Sequence, residues 1–169
     1  MLFELLAGVA FSAPALPHSR LSGLEITSVT RFSNLDGGPS DNDGAANGVL
    51  TVDWLKIRGN GAIEIDVPLA RFEVAGDVTL DGNGAIRNQA GALHSIGPVV
   101  VVKAGRAVTL NGSARVILSG LDVGGAAVLC AGTNLEVNGD GRVSADGINP
   151  GSSGGSIELV AAGQLRMNG

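Results

Sequence analysis

The sequence is poor in aromatic and basic residues. It has no Tyr, one Trp and four Phe among 169 residues, and its 11 Lys and Arg are scattered singly in a chain of net charge −5. Surfaces that bind nucleic acid combine a basic patch with aromatic positions on which bases stack. The composition therefore argues against a nucleic-acid partner.

Cysteine is nearly absent. Cys130 is the single one in the sequence, which excludes an intramolecular disulfide and a zinc cluster built on cysteines. Its neighbours in "AAVLCAG" are apolar, and nothing in that segment favours a thiolate. The pattern predicts a small buried side chain rather than a reactive thiol.

Long apolar runs are also missing. Residues 1–17 are the most apolar N-terminal stretch, but Glu4 interrupts them and the run is too short to span a membrane. An Ala-Pro-Ala triplet at 13–15 resembles a cleavage site, yet no Lys or Arg precedes the run, as it does in ordinary export signals. We interpret 1–17 as a cap or docking arm, with a retained, atypical export signal as the alternative.

Glycine is abundant, and much of it belongs to a repeated phrase. Gly accounts for 27 of 169 residues, roughly double the usual ~7%. Each copy of the phrase has an Ala-Gly pair, two apolar residues separated by one polar residue, and Asn or Asp before a final Gly. The copies are "AGDVTLDG" (75–82), "AGRAVTLNG" (104–112), "AGTNLEVNG" (131–139) and "AGQLRMNG" (162–169). Their Ala-Gly pairs are 29, 27 and 31 residues apart, a period typical of stacked supersecondary units.

The repeat predicts an all-β fold, a parallel β-helix or β-solenoid, with a β-sandwich as the alternative. No segment after residue 20 has the spacing of a long amphipathic helix. In stacked coils, the phrase would place like residues above one another about 4.8 Å apart. We therefore expect a ladder of alanines (Ala75, Ala104, Ala131, Ala162), a ladder of side-chain amides (Asp81, Asn111, Asn138, Asn168) and corner glycines with positive φ (Gly82, Gly112, Gly139, Gly169).

Two regions follow from the pattern. Residues 1–48 are predicted to comprise the apolar segment, one strand over 24–32 with Leu24, Ile26 and Val29 on its buried side, and a turn-rich loop; together they form a cap or docking arm. Residues 49–169 are predicted to form about four coils, because this region has 121 residues and each coil takes about 29 of them. Trp54 is expected to cover the first full coil.

A candidate metal site lies in the turn-rich loop. Asp36, Asp41 and Asp43 have oxygen-rich spacing of the kind that calcium prefers. No acidic residue closes a twelve-residue calcium loop, so a turn in which Asp and Asn cap their own backbone is the favoured interpretation. Calcium is the alternative, and no other cofactor is predicted.

Catalytic residues do not gather in the pattern. Glycan-cleaving β-helices need paired carboxylates in one groove, whereas the acidic residues here fall at different phases of the repeat. His94 lacks a second His or Cys at metal spacing. We expect that the protein is not an enzyme.

The segment "GRVSADGINPGSSGGSIELVAAGQLRMNG" (141–169) resembles the Gly-rich repeats of bacterial surface and secreted β-solenoid proteins, such as adhesins and autotransporter passenger regions. The resemblance covers 49–169 and implies an extracellular structural or adhesive role. The leading hypothesis is a structural protein that self-associates through the ends of its solenoid into a fibre, surface layer or appendage. A carbohydrate-binding module with a continuous polar strip on one flat face, and a glycan-cleaving enzyme, are the alternatives.

Overall fold

A computed structural model describes residues 22–35, 48–89 and 93–168, whose regular secondary structure is almost entirely β-strand. One 3₁₀ turn, η1, covers Phe32–Asn34. In chain order the strands are β1 (Leu24–Ile26), β2 (Val29–Arg31), β3 (Val49–Val52), β4 (Leu55–Ile57), β5 (Ala62–Ile65), β6 (Leu69–Val74), β7 (Val78–Leu80), β8 (Ala85–Asn88), β9 (Val99–Ala104), β10 (Val108–Leu110), β11 (Arg115–Ile117), β12 (Ala126–Ala131), β13 (Leu135–Asn138), β14 (Arg142–Ser144), β15 (Ser156–Ala161) and β16 (Leu165–Asn168).

The strands wind into three parallel sheets. Sheet 1 has the order β1-β4-β7-β10-β13-β16, sheet 2 has β2-β5-β8-β11-β14 and sheet 3 has β3-β6-β9-β12-β15. Every third strand thus returns to the same sheet. Four complete coils run from β4 to β15, with β1 to β3 before them and β16 after them. The predicted parallel β-helix is confirmed, and the sandwich alternative is wrong, because a sandwich is built from antiparallel sheets.

The core is a set of apolar columns that run through the stack. Side chains alternate inward and outward along each strand, and like residues meet in register. Leu50, Phe72, Val102 and Leu129 form one inward column in sheet 3, and all four are almost completely buried. Phe32 packs its ring edge-on against Phe72, with ring centroids 5.0 Å apart. Each coil therefore buries its apolar side chains only because neighbouring coils cover them.

The repeated phrase contains the strand of sheet 1, and its final Gly lies at the corner between sheet 1 and sheet 2. Gly82, Gly112 and Gly139 have φ of 66°, 67° and 66°, as predicted, and Gly59 of the incomplete copy "LKIRG" has φ of 61°. Gly169 lies outside the described residues. An L side chain is strained in this left-handed region, so the chain turns here only at glycine.

The amide ladder is confirmed. Asn111 donates from Nδ2 to Asp81 Oδ1 at 2.8 Å, Asn138 donates to Asn111 Oδ1 at 3.0 Å, and Asn168 donates to Asn138 Oδ1 at 2.9 Å. An amide can continue such a ladder because it both donates and accepts. The carboxylate of Asp81 only accepts, and its other oxygen lies 3.6 Å from Lys56 Nζ.

The predicted alanine ladder is out of register by one residue at two of its four positions. Ala104 and Ala131 do pair, but Ala104 also faces Val74 rather than Ala75, and Ala131 faces Ala161 rather than Ala162. The copies at 75 and 162 have one residue fewer between the Ala-Gly pair and the strand that follows. Register is set by the inward side chains, since a slip of one residue would turn every apolar group outward.

The solenoid begins before residue 49. The single strand predicted over 24–32 is two strands, β1 and β2, which bend between them and pair with β4 and β5. Ile26 is buried as predicted, whereas Val29 is 51% exposed on the outside. Trp54 covers Gly23, where an added Cβ would lie 2.0 Å from the indole. The apolar stretch 1–17 lies outside the described residues.

Candidate functional site

The corner between sheet 2 and sheet 3 carries the longest loops. It has three residues, 66–68, between β5 and β6, but ten, 89–98, between β8 and β9. A cavity of about 460 Å³ lies at this corner, between these two loops. It is lined by 65–68, Asn88 and 94–99. The lining is mainly apolar. The carboxylate of Asp66 accepts hydrogen bonds from the Ser33 amide at 3.0 Å and from the Ser33 hydroxyl.

The cavity does not assemble a catalytic set from the residues that the structure describes. His94 lines the cavity, and within 22–35, 48–89 and 93–168 no three His, Cys, Asp or Glu side chains lie close enough to hold a metal ion. Asp36, Asp41 and Asp43, the residues of the predicted calcium loop, lie outside the described residues. In the described part of the chain, no helix is both long and apolar enough to cross a membrane.

The most buried charged group is Glu64, on the outer face of sheet 2. Its register neighbours are Arg31 on β2 and Arg87 on β8, and its Oε1 lies 3.2 Å from Arg87 Nη2. The ion pair with Arg87 offsets part of the cost of burying the Glu64 carboxylate.

The outer face of sheet 1 is a polar strip. Its outward residues align from strand to strand across all six strands, beside the amide ladder; they are Glu25, Lys56, Thr79, Thr109, Glu136 and Arg166. The strip satisfies the condition set for a carbohydrate-binding surface. Trp54, which precedes β4 at the corner between sheet 3 and sheet 1, is 43% exposed.

The outer face of sheet 3 is apolar at its centre and charged at two places. Val101 on β9 and Val128 on β12 are neighbours in register, and Arg71 on β6 and Glu158 on β15 stand on either side of them in the same column. Val99 and Leu69 are more than a third exposed on this face. An apolar sheet face in contact with water is typical of an interaction surface.

Cys130 belongs to this outer face, and its predicted burial in the core is wrong. Leu129 and Ala131 point inward, so Cys130 points outward, in register with Lys103 and Val160. It is half-buried. Desolvation and the carboxylate of Glu158 raise the pKa of the Cys130 thiol, while Lys103 opposes them. A protonated thiol is a poor nucleophile.

The layer formed by β14, β15 and β16 exposes side chains that are core residues in the other coils. Ile157, Leu165 and Met167 follow the buried columns of Ala127, Leu135 and Val137, yet they are 46%, 49% and 62% exposed. We call this layer the open end. Within the described residues, nothing covers these side chains, and one hydrogen-bonding edge of each strand lacks a partner strand.

The opposite end of the stack differs from the open end. In its first layer, Leu50 and Phe32 are completely buried and Ile26 is 7% exposed. Apolar surface and free strand edges together favour association with another chain.

The sequence analysis did not identify the apolar outer face of sheet 3. The segments "PVVVV" (98–102) and "AAVLCA" (126–131) are apolar at every position, which is the available signal, because a strand with one face in water should alternate. Such a run is equally typical of a strand buried on both faces. Only the sheet positions show which of these valines point to solvent.

These features define a parallel β-solenoid with an open end and two contrasting outer faces. Comparison of the chain with protein-family models, with curated proteins and with solved structures gave no significant match. Fold alone does not imply an activity, so its role is inferred from the surfaces themselves.

Proposed function

We propose that the protein is a structural β-solenoid without catalytic activity, whose copies associate through the open end. The observation that supports this proposal is the exposure of Ile157, Leu165 and Met167 at positions that are buried on the equivalent strands from β4 to β13. Covering three half-exposed side chains of this size contributes roughly 1 kcal/mol each, about half the value for complete burial. Backbone hydrogen bonds along the edges of β15 and β16 add specificity.

A second copy is the occupant that this surface fits best. Another open end offers the same exposed columns and the same unpaired edges, whereas the first layer of the stack has its inward side chains already covered. Two open ends related by a two-fold axis give a closed, isologous contact. The N-terminal stretch 1–17 of another copy is the second possible occupant.

The test is the concentration dependence of assembly. Sedimentation velocity and electron microscopy of the wild type should show association that increases with protein concentration. The variant Leu165→Glu/Met167→Glu should lower the association constant at least tenfold, since each carboxylate must be desolvated in the contact. Val29→Glu is the matched control, because Val29 is 51% exposed on the outside of β2, in the layer at the opposite end of the stack.

Two results would contradict this role. Dispersed monomers at every concentration, or equal association by wild type and Leu165→Glu/Met167→Glu, rule out assembly through the open end. Circular dichroism must show that each variant retains the β fold.

The proposal includes an extracellular or cell-surface location. The resemblance of 141–169 to secreted solenoid repeats supports it. Surface labelling of intact cells, with a cytoplasmic protein as control, should detect the chain outside the membrane; labelling only after lysis would contradict this part of the proposal.

Glycan binding is the second candidate function, and the polar strip of sheet 1 supports it. Thr79, Thr109 and Glu136 supply hydroxyl and carboxylate groups at strand spacing, and Trp54 offers an exposed ring on which a sugar can stack. A glycan array probed with the wild type and with Trp54→Ala should show signal that the variant loses. An array without signal removes this candidate.

A further inference from the structure

The outer face of sheet 3 is a patch distinct from the open end. The part of this face that concerns the contact comprises four of the five strands of sheet 3, β6, β9, β12 and β15, each of six residues; β3 lies beyond β6. It measures about 20 Å along the strands and about 19 Å across them at ordinary strand dimensions. Its apolar centre consists of Val99, Val101, Ala126 and Val128.

The charges on this face have opposite signs at its two ends. Register places Arg71, Val101, Val128 and Glu158 in one column across the four strands. Neither Arg71 nor Glu158 forms an ion pair with another described residue, whereas Glu73 and Lys103 in the next column pair with each other at 3.7 Å. The column therefore has a free cation and a free anion within the described residues, equally distant from the midpoint between β9 and β12.

We propose that two copies pack face to face through sheet 3 with their solenoid axes antiparallel. A two-fold axis parallel to the strands, midway between β9 and β12, places Arg71 of each copy opposite Glu158 of the second copy. Val101 then faces Val128 of the second copy. By symmetry the contact contains two such ion pairs at either side of an apolar centre.

Charge excludes the other simple arrangements. With parallel solenoid axes, a two-fold axis along this column places Arg71 opposite Arg71 and Glu158 opposite Glu158, which repel. If the solenoid axes were antiparallel but the two-fold axis passed through β9, Arg71 would face Val128 of the second copy and Glu158 would face its Val49. Both charges would then be desolvated without a partner. The antiparallel arrangement is the one that satisfies both charges.

The area makes this contact weak by itself. A face of about 20 by 19 Å buries roughly 400 Å² per copy, about half of the ~800 Å² per partner of a standard stable interface. The contact is therefore expected to form at high protein concentration, or where another contact already holds copies together and raises their effective concentration. Lateral packing of this kind would join the dimers that the open end forms.

The test is a charge swap in a background that blocks the open end, so that the two contacts fail independently. Leu165→Glu/Met167→Glu lies on β16 in sheet 1 and leaves sheet 3 unchanged. In this background, Arg71→Glu and Glu158→Arg should each lower the association constant about tenfold, because each places like charges opposite one another. The double variant Arg71→Glu/Glu158→Arg should restore association to within about threefold of the background, since the pair re-forms with its signs exchanged.

Cys130 provides an independent readout of orientation. In the antiparallel arrangement the Cα atoms of the two Cys130 residues lie about 11 Å apart, from a sheet separation of ~10 Å and one strand spacing. In the parallel arrangement they lie about 17 Å apart, on opposite sides of the column. A short bis-maleimide should therefore trap a dimer of the background protein, and Arg71→Glu should abolish that product.

Four results would overturn the proposal. The first is a background protein that stays monomeric at millimolar concentration, and the second is a pair of single variants that associate as strongly as the background protein does. The third is a double variant whose association constant is lower than that of either single variant. The fourth is binding of the protein to lipid vesicles that all charge variants retain equally. Arg71 and Glu158 are exposed, so urea denaturation should show each variant folded with a stability change of at most about 0.5 kcal/mol.

Discussion

Asn138 lies within the amide ladder, and its substitution by alanine tests how much that ladder stabilises the solenoid. The side chain donates to Asn111 at 3.0 Å and accepts from Asn168 at 2.9 Å, so Asn138→Ala removes two hydrogen bonds. A typical bond contributes about 0.5–1.5 kcal/mol net. The neighbouring amides are partly exposed and can turn to water, which favours the lower half of that range. We expect a loss of about 1–2 kcal/mol in the free energy of unfolding.

The ladder itself supplies the comparison. Asn111→Ala also removes two bonds and should match Asn138→Ala, whereas Asn168→Ala removes one exposed bond and should cost roughly 0.5 kcal/mol. Glu136→Gln, on the strand of Asn138 but outside the ladder, is the control and should change stability by less than about 0.5 kcal/mol. Urea denaturation followed by circular dichroism measures all four variants. If Asn111→Ala and Asn138→Ala cost no more than Glu136→Gln, the ladder is a consequence of stacking and does not stabilise it.

Further predictions concern the corners, the core, the thiol and the turn-rich loop. Gly132→Ala should prevent stable folding, because the added Cβ would lie 2.2 Å from the Gly105 carbonyl oxygen, whereas Gly59→Ala has no atom within 4 Å and should cost only the roughly 1–2 kcal/mol of a left-handed L residue in a urea titration. Phe72→Ala should cost about 3–5 kcal/mol, since it removes the ring that Phe32 packs against. The alkylation rate of Cys130 should rise with pH with a midpoint above the ~8.5 of a free thiol, because burial raises the pKa of this thiol in the folded state; a midpoint below that value would contradict the direction. As pH rises through this raised pKa, the folded state loses stability relative to the unfolded chain. EDTA should leave the thermal unfolding midpoint unchanged if Asp36, Asp41 and Asp43 only cap turns, while a rise of several degrees on adding calcium would establish the calcium alternative.

The sequence predicted the architecture because the repeat is a local signal. Each copy has two inward aliphatic residues, then an Asn or Asp, then a Gly that must adopt positive φ. This order specifies a corner in any coil. The amide ladder followed from the same phase. The alanine ladder did not follow from it, because the copies differ in the number of residues between the Ala-Gly pair and the next strand. Strand register is decided by the inward side chains of neighbouring coils, which a count along the chain cannot align.

The surfaces depend on the tertiary structure. A run such as "PVVVV" is compatible with a strand buried on both faces, and only its place in sheet 3 shows that Val99 and Val101 point to solvent. Arg71 and Glu158 are 87 residues apart, and only the stacking of β6 and β15 into one sheet brings them into a single column. By itself the sequence determined that like residues stack coil upon coil, because its period fixes what each residue meets above and below. The tertiary structure decided which of those stacked columns is core and which is surface, since that depends on the direction in which each side chain leaves its sheet.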